Sequence, residues 1–169
     1  MSDETTPAGG AASEEEEQSL ITPAMQAAVG VETEPFTIEI TAELVSRLAE
    51  ALEVDDPDLQ ALLRSGETGA ELPPWAVLTH YGRLRPGAVP DAPERGLQAA
   101  DEFTILGPIR LGDRLTIVQR LADVQERIGG RVGHSLFVHH EWAYTNQAGE
   151  VVARTRRTRA HFVGRHSND

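Results

Sequence analysis

Apolar and polar residues follow two different rhythms along this chain, and the change falls near Gly96. In the first half, Leu44, Val45, Leu48, Ala49 and Leu52 recur at helical spacing, with Glu43, Arg47 and Glu50 on the wet side. That stripe predicts an amphipathic helix capped by Thr41. Just before it, Phe36, Ile38 and Ile40 alternate with polar neighbours, which predicts a strand. Thr22-Pro23 and Asp56-Pro57 each read as a helix cap followed by proline in the first helical position, the two helices ending at Gly30 and Gly66. Pro73-Pro74 opens a more apolar helix, Trp75 to about Leu84, carrying Val77, Leu78 and Tyr81. Three prolines and a glycine then make Arg85 to Arg95 a crossover loop.

From Gly96 onward the period is two. Strands are predicted over Leu97 to Ile105, Arg114 to about Gln125, His134 to Tyr144, and Val151 to about Val163. Leu111-Gly112-Asp113, Gly129-Gly130 and Asn146-Gln147-Ala148-Gly149 supply the turns. On the third strand Leu136, Val138, Trp142 and Tyr144 share one face. Short helices followed by an antiparallel meander define an α+β fold with helices against one sheet face. A central apolar helix wrapped by about five antiparallel strands is the hot-dog architecture, a single hot-dog domain.

Composition narrows the chemistry. A chain of 169 residues with 40% hydrophobic content is one domain's worth of sequence. It has no cysteine, which excludes a thiol nucleophile, a disulfide scaffold and a cysteine-bound metal; no two histidines stand at the metal-ligand spacing His-x-x-x-His with a nearby acid, which argues against a zinc site. All 15 basic residues are arginine, so Schiff-base and P-loop chemistry are excluded as well. The net charge of −12 argues against nucleic acid as a partner. That charge is polarised: residues 1–95 hold 19 acids and 5 Arg, whereas residues 96–169 hold 8 acids and 10 Arg. The expected domains are an acidic disordered tail over 1–19, the hot-dog domain over 20–164 and a short C-terminal tail over 165–169. With no secretory pattern at its start and no apolar run long enough to span a bilayer, the chain is expected to be cytoplasmic and free of membrane.

Five segments, in order, resemble the N-terminal-type domain of the MaoC-like acyl dehydratases, the half related to fatty-acid-synthase-type dehydratases. They are Leu72-Pro73-Pro74-Trp75-Ala76-Val77-Leu78, Gly96-Leu97-Gln98-Ala99-Ala100-Asp101-Glu102-Phe103, Gly107-Pro108-Ile109-Arg110-Leu111-Gly112-Asp113, Arg127-Ile128-Gly129-Gly130-Arg131-Val132-Gly133, and Tyr144-Thr145-Asn146-Gln147-Ala148-Gly149-Glu150-Val151-Val152. The resemblance covers roughly Thr37 to Phe162. It implies a hot-dog fold, an acyl thioester ligand on coenzyme A or acyl-carrier protein, no cofactor, and reversible hydration of a 2-enoyl group.

The chain departs from the family where catalysis resides. Active members resemble one another in an Asp-x-Asn-Pro-x-His pattern, whose carboxylate and imidazole hold water and move protons. The nearest stretch is Val54-Asp55-Asp56-Pro57-Asp58-Leu59; aligned on the proline, the family's Asp falls on Val54 and its His on Leu59. A histidine often found near Leu97 in the family is replaced by Gln98. The resemblance therefore implies a non-catalytic, substrate-binding subunit of a 2-enoyl-CoA hydratase or 3-hydroxyacyl thioester dehydratase. Its acid and base would come from a MaoC-like partner in a heterodimer or heterotetramer. Two alternatives stay open: an acyl-CoA-binding or scaffold protein without turnover, and a self-sufficient homodimeric hydratase or thioesterase.

The candidate substrate-binding residues are His80, Tyr81, Trp75, Gln98, Arg131, Arg154, Arg156 and Arg157. His80 and Tyr81 lie on the central helix, where hot-dog sites gather; His80 would otherwise cap the helix end or meet a partner. Alternation puts Arg154 and Arg156 on one face of the last strand and Arg157 and Arg159 on the other. Guanidinium groups could clasp the phosphates of coenzyme A, or could pair with acids on neighbouring strands. Arg131 sits in the Gly129-Gly130 turn as a second phosphate candidate. His140 reads as a buried, hydrogen-bonded core histidine and His139 as outward-facing. Asp55, Asp56 and Asp58 read as helix-capping acids, and Asp113 as part of a turn.

Overall fold

The computed structural model describes residues 18–129 and 133–163. Most of the acidic tail, Arg131 and the expected C-terminal tail lie outside the described residues. The N-terminal helix α1 (Pro23–Ala28) starts at Thr22, whose hydroxyl accepts from the Met25 amide. Strand β1 (Phe36–Glu39) leads into α2 (Ala42–Ala51), capped by Thr41, and then α3 (Pro57–Ser65). Asp56 caps α3, its Oδ1 accepting from the amides of Asp58 at 3.0 Å and Leu59 at 3.1 Å. Gly66 ends it at φ 67°, a left-handed conformation that glycine adopts without steric cost. Replacing Asp56 with Ala leaves two amides without a cap. It is expected to cost about 1 kcal/mol, read as a lowered midpoint in urea unfolding.

The fourth helical segment differs from the expected α-helix: Pro74–Arg83 is a 3-10 helix. β-Branched Val77 and Thr79 and the glycine at 82 weaken α-helical propensity there. The Thr79 hydroxyl also donates to the Ala76 carbonyl at 2.9 Å, three residues back, which suits the tighter turn. The segment nevertheless fills the place of the central helix. Its Ala76 and Val77, with Leu84, join Ile38, Ile40, Val45, Leu115, Ile117, Trp142 and Tyr144 in the main hydrophobic core.

Around it curls a five-stranded antiparallel sheet in the order β1, β5, β6, β7, β3. Its remaining strands are β3 (Gly96–Ile105), β5 (Arg114–Arg127), β6 (Ser135–Thr145) and β7 (Val151–Phe162). Two short strands, β2 (Glu71–Leu72) and β4 (Ile109–Arg110), pair separately. The meander places β7 beside β3, because the crossover loop after the 3-10 helix carries the chain to the far edge of the sheet. Edge strand β3 is exposed along almost its whole length. A second, smaller core at the other end gathers Met25, Leu121, Leu136 and Val138, with Val89 and Ala92 of the crossover loop packed against it. Among the described residues, no helix is long and apolar enough to cross a membrane.

Asp113 explains the turn into β5. It is 5% exposed, and its carboxylate accepts from the Arg110 amide at 2.7 Å and the Gln147 side chain at 2.9 Å. Gly112 stands at φ 86° with Thr68 beside the position a Cβ would occupy, so this turn is closed to larger residues.

Candidate functional site

Where the 3-10 helix meets the exposed edge of the sheet, three polar side chains converge on one carboxylate. Asp101 of β3 accepts hydrogen bonds from the Tyr81 hydroxyl and the Gln98 amide at one oxygen. At the other, the Arg157 Nε donates at 3.0 Å. Gln98 and Asp101 are three positions apart and would normally point to opposite faces of a strand. A register shift between Gln98 and Ala100 inserts an extra residue opposite β7 and turns both side chains toward the 3-10 helix. Arg157 comes from the facing position on β7, paired in register with Asp101.

Aromatic rings frame this cluster. The Arg157 guanidinium lies 4.6 Å from the Tyr81 ring centroid and 5.7 Å from that of Trp142. Tyr81 in turn meets Phe103 edge-on at 5.3 Å. Burial, reinforced by the hydrogen bond to Asp101, pushes the Tyr81 hydroxyl pKa up, so it remains a proton donor at neutral pH. Burial works against the charge on Arg157, but its bonds to Tyr81 and Asp101 outweigh that and raise its pKa. The result is a charged and hydrogen-bonded platform. Its donors already have an acceptor, which suits shape and polarity recognition at the sheet edge.

Three of the sequence candidates, Tyr81, Gln98 and Arg157, are thus brought together, and the structure adds Asp101, to which sequence reasoning gave no role. The other candidates lie elsewhere. His80 is 4% exposed, with Nε2 3.2 Å from the Glu39 carbonyl oxygen, so it faces β1. Trp75 packs against the main core. Arg154 and Arg156 stand on the opposite face of the sheet from Arg157, beside Glu102 and Glu141. There Arg154 donates to Glu141 at 3.1 Å, and Arg120 binds the same carboxylate at 2.6 Å. This outer row is an ion-pair ladder, in which exposed pairs contribute little stability. Arg131 lies outside the described residues.

Leu59 is buried in the main core and Val54 packs against it. Asp56 is occupied as the cap of α3. Among the described residues, no group of three His, Asp or Glu side chains is arranged to hold a metal ion.

His140 is 2% exposed, and its Nδ1 accepts from the Gln119 amide at 3.1 Å. Burial, aided by nearby Arg159, lowers its pKa to about 4. The folded value lies below the unfolded one of about 6.5, so the unfolded chain binds the extra proton between these values. Stability should therefore fall as pH drops from about 6.5 to about 4, by an amount on the order of 2–3 kcal/mol from this group. Urea titrations across that range should show the slope, and His140→Asn should flatten it.

Comparison with known proteins fits this architecture. Residues 27–155 match the family described as FAS1-like, dehydratase domain region. The C-terminally truncated HadBC (3R-hydroxyacyl-ACP dehydratase) complex of Mycobacterium tuberculosis contains a chain of similar fold. The TM-score is 0.53 and the identity 20%, over 79% of this chain and 96% of that one. The ChsH1-ChsH2 complex of the same organism matches at TM-score 0.58 and 18% identity, over 85% of this chain and 90% of that one. The R-hydratase PhaJ1 of Pseudomonas aeruginosa gives TM-score 0.52 and 14% identity, over 81% and 83%. These similarities establish the hot-dog fold. No curated protein matches the chain significantly.

Proposed function

The chain belongs to the family of FAS1-like dehydratase domain regions, and from that premise we propose that it is the substrate-binding subunit of a heteromeric 2-enoyl thioester hydratase or 3-hydroxyacyl thioester dehydratase. In this reading a MaoC-like hot-dog partner supplies the Asp and His that add water across the Cα–Cβ double bond, hydroxyl to Cβ and proton to Cα. This chain contributes one wall of the acyl site. Val54 and Leu59 support the division of labour, since neither side chain can transfer a proton.

The observation that carries the proposal is the state of β3. It is a ten-residue edge strand with Leu97, Phe103 and Ile105 exposed, and the Tyr81–Gln98–Asp101–Arg157 cluster stands beside it. An exposed, long and apolar edge strand is a template for strand addition. Solved complexes of similar fold, HadBC and ChsH1-ChsH2, are assemblies of two kinds of chain. A partner strand laid along β3 would bring its own catalytic groups close to this cluster.

The test is co-expression with a small MaoC-like protein bearing Asp-x-Asn-Pro-x-His. The two should co-purify, and the complex should hydrate a 2-enoyl-CoA that this chain alone leaves unchanged. Turnover by the isolated chain, or failure of every such partner to bind, would reject the reading. Ile105→Asp, a charge placed on the edge, should weaken the complex by at least 2 kcal/mol, about 30-fold, while leaving the monomer folded; gel filtration and circular dichroism report the two outcomes.

A further inference from the structure

The crossover loop roofs a cavity of about 330 Å³ on the concave face of the sheet. Pro86, Val89 and Ala92 form its apolar wall, while His140, Arg159 and His161 line the sheet side. The roof is held in place. His161 Nδ1 donates to the Pro93 carbonyl at 2.7 Å, the Phe162 amide donates to the Arg95 carbonyl at 3.0 Å, and Thr22 of the α1 cap donates to Asp91 at 2.9 Å. Its volume lies at the lower end of the roughly 300–1,000 Å³ typical of small-molecule pockets.

Two donors in this cavity have no acceptor among the described residues. Arg154 and Arg157 are committed to Glu141 and Asp101, whereas Arg159 has no ion-pair or hydrogen-bond partner among the described residues, and its Nε is buried. His140 accepts at Nδ1 from Gln119, so its proton is on Nε2. Among the described residues nothing accepts from that nitrogen either. An unpaired, half-buried guanidinium is costly, and a bidentate oxyanion is the partner that best offsets the cost. Among the described residues Glu94 is the one carboxylate lining the cavity; it is exposed and forms no ion pair with Arg159.

We propose that this cavity is a binding site for a small amphiphilic carboxylate, its oxygens on Arg159 and His140 and its apolar stem against Pro86, Val89 and Ala92. The site is separate from the Asp101 cluster and does not depend on the subunit reading above. On β7 it lies two residues further along the same face, about 7 Å away.

The experiment is calorimetric titration of the full chain with octanoate, with octanol as the uncharged equivalent, and with inorganic phosphate. Octanoate should bind at least tenfold more tightly than octanol or phosphate. Arg159→Gln should remove the preference over octanol, while Arg154→Gln, on the outer face, should leave it intact. Ala88→Phe, an exposed loop position beside the cavity, should block octanoate without endangering the fold; it keeps the test decisive should Arg159→Gln fail to fold. Equal binding of octanoate and octanol, no binding of either, or unchanged binding in Ala88→Phe would overturn the proposal. Phosphate binding as tight as octanoate would also overturn it, in favour of a plain oxyanion site.

Discussion

Asp101→Ala is expected to destabilise the chain by about 3 kcal/mol and to release the edge cluster as a unit. The side chains of Asp101 and Arg157 are only 17% and 13% exposed. Removing the carboxylate strands a buried guanidinium and frees two further donors, Tyr81 and Gln98. Breaking one side of such a pair typically costs about 3–5 kcal/mol. The lower end applies because Arg157 keeps its contact with the Tyr81 ring. Replacing both partners, as Asp101→Leu with Arg157→Met, should recover most of the loss, since well-packed apolar substitutes for a buried pair are often neutral. Urea denaturation of the two single variants and the double variant gives the coupling energy directly. If Asp101→Ala unfolds at the wild-type midpoint, the cluster does not hold the edge of the sheet. In a partnered enzyme the same variant should lose turnover more than the outer-face variant Arg154→Gln, which touches only the ion-pair ladder.

Trp142→Ala should be the most damaging single truncation, at about 3–5 kcal/mol. Trp142 is 1% exposed at the centre of β6, where it contacts the core, the His140 ring at 6.1 Å and the Arg157 guanidinium. Its removal opens a cavity between the sheet and the 3-10 helix that neither can collapse to fill. Thermal unfolding should show a drop in Tm of roughly 8 °C or more. A fall of only a degree or two would mean that the central segment moves to fill the space.

Much of the fold was legible because burial imposes a period. The stripe of α2, the alternation of β5, β6 and β7, and the caps Thr22, Thr41 and Asp56 are local signals that the structure reproduces within a residue or two. The β2–β4 pair escaped because two residues are too few to show a period. The central segment carried an apolar stripe compatible with either helix type, and the choice of 3-10 geometry rests on propensity and one Thr79 hydrogen bond.

The candidate site was legible only in part. Tyr81, Gln98 and Arg157 could be singled out as residue types, but the acid that joins them could not. Asp101 meets Arg157 across 56 positions of sequence. The bulge that aligns it with Gln98 has no glycine or proline to announce it. The alternation of the arginines correctly separated Arg154 and Arg156 from Arg157 and Arg159. It could not show that Arg154 and Arg157 find acids while Arg159 faces a cavity.

By itself the sequence determined the hot-dog layout and the absence of cysteine and lysine side chains, because these depend on residue identity and local period. Tertiary structure alone decided which arginines are paired, which edge of the sheet stays open, and that a loop roofs a cavity over Arg159. Those outcomes depend on strand register and long-range closure, where a shift of one residue exchanges the two faces of a strand and a local pattern carries no record of it.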